Sequence, residues 1–246
     1  MVIKAPEKIE KPLFRAELEY IPLDDEKSVE QTYKVETDDA EIKEKLKGNV
    51  IVVGKPESYN LKEMYEKQGI KPPVKIQMLF KKYDFWLIEA PFSFMPSPKT
   101  HFEHARILIK MESLSDNIAK PVVHDAYPNN IYDEKKENHK VSIELGLKFA
   151  EIIEPKVQYV DEIKFTRLEP VIEVAGIGTS EPIWDFSEKA LSNHKDVKTL
   201  YTIVKTPQET KGMNIRFFLY AEVPILGLKL LGNEGKERID RYEVLF

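Results

Sequence analysis

The sequence predicts a mainly β protein, an antiparallel β-sandwich or open barrel with a small N-terminal α+β region. Three observations lead there. Val141, Ile143, Leu145, Leu147 and Phe149 recur at strict period two, with Ser142, Glu144, Gly146 and Lys148 between them. A strand sends successive side chains to opposite faces, so this run buries one face and wets the other; a helix would scatter the five apolar residues round its axis. Beyond residue 75, short β-rich segments follow one another. Pro91, Pro96, Pro98, Pro128-Asn129-Asn130 and the glycine-bearing stretches 176–182 and 232–235 punctuate them, the rhythm of a sandwich or barrel. Helix signals, finally, are concentrated before residue 72.

Taken in order, residues 1–12 read as an arm. Residues 13–21 alternate Phe14, Ala16, Leu18 and Tyr20 against Arg15, Glu17 and Glu19, and 28–36 return with Val29, Tyr33 and Val35. The polar turn at 22–27 between them makes a hairpin. Asp38 with Glu41 forms a reciprocal cap for a short helix carrying Ile42 and Leu46, which Gly48 stops. The β-branched run at 49–54 suits a strand buried on both faces. A second helix starts at Asn60, with Glu63 three residues on, and faces Leu61, Met64 and Tyr65 inward. Gly69 and Pro72-Pro73 end it. The chain thus divides into an α+β region, 1–72, and a β-sandwich domain, 73–246. The Lys71-Pro72-Pro73 connection is too short to hold two units far apart, which favours one body. Strands are expected at 75–80, 83–90, 102–112, 120–124, 139–150, 157–167, 170–176, 198–205, 214–223, 225–231 and 240–246. Residues 176–198 read as a long connection, with a helical turn within 185–196.

Composition narrows the function classes. With 42% hydrophobic and 32% charged residues over 246 positions, the chain is globular and can bury a sizeable core. It has no cysteine, which removes disulfides, thiolate zinc sites, iron–sulfur clusters and cysteine nucleophiles, and fits a cytoplasmic location. The N-terminus goes straight to charge and proline, without the apolar core of a signal peptide, and no apolar stretch approaches the length of a spanning helix. A net charge of −5 argues against a nucleic-acid partner. The wealth of Lys and Glu fits a heat-adapted or AT-rich prokaryotic source.

Each residue set that could carry chemistry has a structural alternative. His101 and His104 are spaced for chelation on a helix, but they open an expected strand, where residues three apart point to opposite sides. The stretch from His124 to Glu134 holds one imidazole, three carboxylates, two amides and two phenols. It lacks the alternating acids of a calcium loop, and Tyr127-Pro128 and Asn129-Asn130 are ordinary turn formers. Gly176-Ile177-Gly178-Thr179-Ser180 lacks the third glycine and the lysine of a phosphate loop and reads as a corner. Trp184, beside Asp185, offers a rigid face for a partner; packed under the 176–198 connection, it would instead plug the core, which is the reading preferred here. The apolar patches at 92–96 and 225–228 read as edges of the core.

No nucleophile stands in a recognisable elbow, and the five histidines form no triad. The sequence therefore points to a non-enzymatic, cytoplasmic protein-binding or interaction protein, a component of a multi-protein system, needing no cofactor and no metal. Its expected partner is another protein, neither nucleic acid nor membrane. The candidate binding residues are His124, Asp125, Tyr127, Trp184 and Asp185. The alternative is a hydrolase in which His124, Asp125 and Asp185 converge in a loop-lined cleft.

Overall fold

The structure, a computed structural model, describes residues 2–4, 6, 8–17, 47–98, 100–114, 119–128, 131–132, 148–150, 170–191, 197–208, 210–225, 228–231 and 242–246. The strands are β1 (Val2–Lys4), β2 (Pro12–Glu17), β3 (Val50–Gly54), β4 (Glu57–Asn60), β5 (Tyr83–Met95), β6 (His104–Ser113), β7 (Val122–Tyr127), β8 (Ile131–Tyr132) and β9 (Lys148–Ala150). Then follow β10 (Pro170–Ala175), β11 (Ile183–Ser187), β12 (Lys198–Pro207), β13 (Gly212–Ile225), β14 (Leu228–Leu231) and β15 (Tyr242–Leu245). Helices span Leu61–Lys67, Val74–Leu79 and Glu188–Leu191, and none among the described residues is long and apolar enough to cross a membrane.

The protein is an antiparallel β-sandwich, as the sequence predicts. The first sheet runs β2-β3-β5-β12-β7, with β4 also paired to β5; the second runs β14-β13-β6-β11-β10-β8, with β15 on β13. A separate parallel pair joins β1 to β9. Of the period-two run at 141–149, only Lys148 and Phe149, both in β9, are among the described residues. The hairpin's return strand at 28–36, the helix at 38–46 and the strand at 157–167 lie outside them.

Apolar side chains at alternate positions knit the sheets together. Phe92 and Phe94 of β5 meet Phe217 of β13 and Phe186 of β11 at ring-centroid distances of 5.6 and 5.5 Å. The first sheet is also covered on its outer face. Leu61 and Tyr65 of the first helix and Ile76 of the second pack there on Phe85, Leu87, Tyr201 and Ile203. In β12, Leu200 and Val204 therefore join the core between the sheets, while Tyr201 and Ile203 join this outer core. The helix Leu61–Lys67 starts where its cap signal places it: the Asn60 side chain accepts from the N–H groups of Lys62 (2.9 Å) and Glu63 (3.3 Å).

Three features differ from the sequence reading. Residues 74–79 form a helix, not a strand. Val74, Ile76 and Met78 have strand-like spacing, but only Ile76 is buried, and Gln77 Nε2 braces the turn on the Pro72 carbonyl at 2.6 Å. Strand β5 continues through Pro91 to Met95. Pro91 sits where its neighbour changes from β4, which pairs with Trp86–Glu89, to β3, which pairs with Phe92–Met95, so its missing N–H leaves no gap in those ladders. Gly54 allows the close approach there, since a Cβ on it would meet Pro91 Cγ at 2.6 Å. The expected connection at 176–198 holds β11, which lies in the middle of the second sheet. Strands β2, β3 and β4, which precede residue 72, lie in the same sheet as β5 and β12.

The 176–180 segment is the corner between β10 and β11. Gly176 has φ +80°, and a Cβ there would lie 2.2 Å from the Glu181 carbonyl oxygen. Gly178 has φ +88° with open space around it, and its N–H donates to the Val123 carbonyl at 2.9 Å. Gly176→Ala is expected to cost about 2 kcal/mol or more and Gly178→Ala about 1 kcal/mol, because only the first adds a backbone clash to the left-handed conformation. Urea melts of the two variants check the ranking; equal losses would mean that the corner relaxes freely.

Candidate functional site

Strand alternation decides which predicted residues can meet. In β11, Trp184 points into the core and is fully buried, with its ring N–H donating to the Pro128 carbonyl at 3.1 Å. Its face is not available to a ligand. Asp185, the next residue, leaves on the outer face of the second sheet. There Arg106, directly opposite on β6, donates to its two oxygens at 2.7 and 3.3 Å, and His104 Nε2 stands 3.2 Å from Oδ1. His101 meets another carboxylate, Glu188, at 3.5 Å.

His124, Asp125 and Tyr127 belong to strand β7, not to a loop. The His124 ring stands edge-on to Phe85 at 5.2 Å, Asp125 lies across from Ile203, and Tyr127 packs on the outer core of the first sheet. Asp125 Oδ1 accepts from the Ala126 N–H at 2.9 Å. The expected convergence of His124, Asp125 and Asp185 is thus absent, because the whole sandwich separates Asp185 from the other two.

Tyr127 nevertheless joins a polar row that the sequence reading missed. Cross-strand register aligns Glu57 (β4), Glu89 (β5), Tyr201 (β12) and Tyr127 (β7) as successive neighbours. The Tyr127 and Tyr201 ring centroids are 6.3 Å apart. The Tyr59 hydroxyl, two residues along β4, donates to Glu57 Oε2. Two carboxylates directly opposite on paired strands repel each other. Burial, followed by repulsion from Glu57, pushes the Glu89 carboxyl up to about 7. Burial, then the hydrogen bond to Glu57, raises Tyr59; burial, then the Glu89 charge, raises Tyr201. Both phenols therefore remain protonated at neutral pH.

At its Glu57–Glu89 end the row opens into a cleft of about 900 Å³. Glu57, Tyr59 and Glu89 form one wall, Lys8 and Lys11 of the N-terminal segment another, and Tyr242 of β15 a third. Lys55 Nζ lies 5.7 Å from the centre of the Tyr242 ring. One signal in the sequence marks the site: Glu89 is the sole charge within the run from Phe85 to Phe94. On a strand buried on both faces, a carboxylate at that place needs a reason.

No protein-family model matches the chain. No curated protein matches it. Among solved structures it is similar to the collagen-binding domain of the Erysipelothrix rhusiopathiae surface protein RspB, at 8% identity and TM-score 0.27, over 66% of this chain and 41% of that one. It is also similar to a pore-forming protein at 9% identity and TM-score 0.32, over 79% and 90% of the two chains. At those TM-scores neither likeness informs the function.

Proposed function

We propose that this chain is a non-enzymatic binding protein whose cleft receives a positively charged group presented by a protein partner. The observation that supports this is Glu89, partly buried in the cleft wall and set against Glu57. A lysine or arginine side chain entering between the two carboxylates would relieve their repulsion and supply the hydrogen bonds that an ionised Glu89 needs.

The pH dependence carries a definite sign. Glu89 keeps its proton to about pH 7 in the fold, against an ordinary value of 4.5. Between those two values the folded state holds more protons than the unfolded chain, so stability falls as the pH rises through that window. The loss is about 1–2 kcal/mol once the partial solvation of Glu89 is discounted. Glu89→Gln is expected to flatten that slope. Binding a cation expels the proton, so affinity for a short Lys- and Arg-containing peptide rises between about pH 5.5 and pH 8. Calorimetric titration should find this rise in the wild type, none in Glu89→Gln, and about tenfold weaker binding at pH 8 in Glu57→Gln. A peptide that fails to bind, or binds equally at both pH values, sinks the proposal.

A hydrolase reading moves to the same pair, because a carboxyl that stays protonated near neutrality beside a carboxylate suits general acid–base chemistry. Turnover of a glycoside or ester, bell-shaped in pH and lost in both Glu→Gln variants, would favour it over binding.

A further inference from the structure

Residues 67–82 contain five lysines, Lys67, Lys71, Lys75, Lys81 and Lys82, and no acid, in a chain whose net charge is −5. The same segment concentrates exposed apolar surface. Of the six large hydrophobic side chains exposed among the described residues, three lie here: Ile70 at 39%, Val74 at 72% and Met78 at 66%. Val74 and Met78 are one turn apart on the helix Val74–Leu79, on the side opposite the buried Ile76. They crown that helix and contribute nothing to the core beneath it.

Beside them, between this helix and Leu61–Lys67, runs a groove of about 460 Å³. Tyr65, Ile70 and Phe80 give it apolar walls, and Lys62, Lys71 and Lys81 stand round it, with Glu66 the one carboxylate in its lining. The groove is held in shape before anything enters it. Asn60 caps one helix, Gln77 braces the other on Pro72, and Gln208 Nε2 donates to the Phe80 carbonyl at 3.0 Å. A preformed apolar groove ringed by cations recognises an occupant that is apolar along one side and acidic along its edges.

We propose that this groove docks a segment of a partner protein in which Leu, Ile or Phe side chains alternate with Asp and Glu. The apolar side chains pack on Ile70 and Phe80 in the groove and cover Val74 and Met78, and the flanking carboxylates meet Lys71 and Lys81. Concavity favours a peptide over an anionic bilayer, since a flat lipid surface would meet Val74 and Met78 but leave the groove floor unfilled.

Fluorescence anisotropy with a labelled amphipathic Leu/Glu peptide tests this on the full chain, with its Leu/Lys counterpart and phosphatidylserine-containing vesicles as the other arms. The Leu/Glu peptide is expected to bind and to weaken as salt is raised. Binding should fall about tenfold in Val74→Ser/Met78→Ser and again in Lys71→Glu/Lys81→Glu. All four side chains lie at the surface or the rim, so an unchanged melting midpoint shows that the variants fold. Glu89→Gln should leave this binding untouched, which separates the groove from the carboxylate cleft. The proposal is overturned if the Leu/Glu peptide does not bind, if the Leu/Lys peptide binds as well, or if the apolar variant binds like wild type. Vesicle binding that depends on these residues, without peptide binding, would also overturn it.

Discussion

Ile203→Asp and Val204→Asp are each expected to unfold the protein, although the two side chains leave β12 in opposite directions. In a sandwich wetted on its outside, one of two adjacent strand residues tolerates a charge. Here neither does. Val204 is fully buried against the second sheet, and Ile203 is 1% exposed beneath the helices. An aspartate at either place is a buried carboxylate without a partner, at about 3–5 kcal/mol, and it also forfeits about 1.5–3 kcal/mol of apolar burial. Against a total stability of about 5–15 kcal/mol, each substitution removes most or all of the margin. Far-UV circular dichroism and urea melts read this directly. A variant Ile203→Asp that melts like wild type would show that the helices do not seal the outer face.

Trp184→Ala is expected to cost about 3–5 kcal/mol through the cavity it leaves and the Pro128 carbonyl it orphans. Trp184 is the largest fully buried side chain, and it sits on the central strand β11 of the second sheet. Trp86 is the other tryptophan. It stacks on Phe246 at 4.0 Å with planes 9° apart, so Trp86→Phe preserves an aromatic contact and leaves Trp184 as the sole reporter. In that background the fluorescence should be blue-shifted and poorly quenched by acrylamide. Ready quenching, with an unshifted melt for Trp184→Ala, would return the residue to the list of surface anchors.

The sequence by itself determined what depends on neighbours along the chain. Period-two alternation and proline–glycine punctuation identified an antiparallel sandwich, and Asn60 announced the start of its helix. Gly176 and Gly178 marked a corner, because left-handed backbone is a local demand. It also offered a hint that only the fold makes readable, the lone carboxylate Glu89 amid apolar residues. Tertiary structure decided the rest. Whether Val74, Ile76 and Met78 lie on a strand or a helix turns on which of them is buried, and on the brace from Gln77 to Pro72. Trp184 and Asp185, adjacent in sequence, part to opposite faces once Ile183–Ser187 pairs between β6 and β10. Glu57, Glu89, Tyr201 and Tyr127 meet only because four strands adopt one register. Register is a global choice: a slip of one residue turns every side chain of a strand to the other face, and burial summed over the whole sheet, not any local signal, selects the pairing that brings two glutamates together.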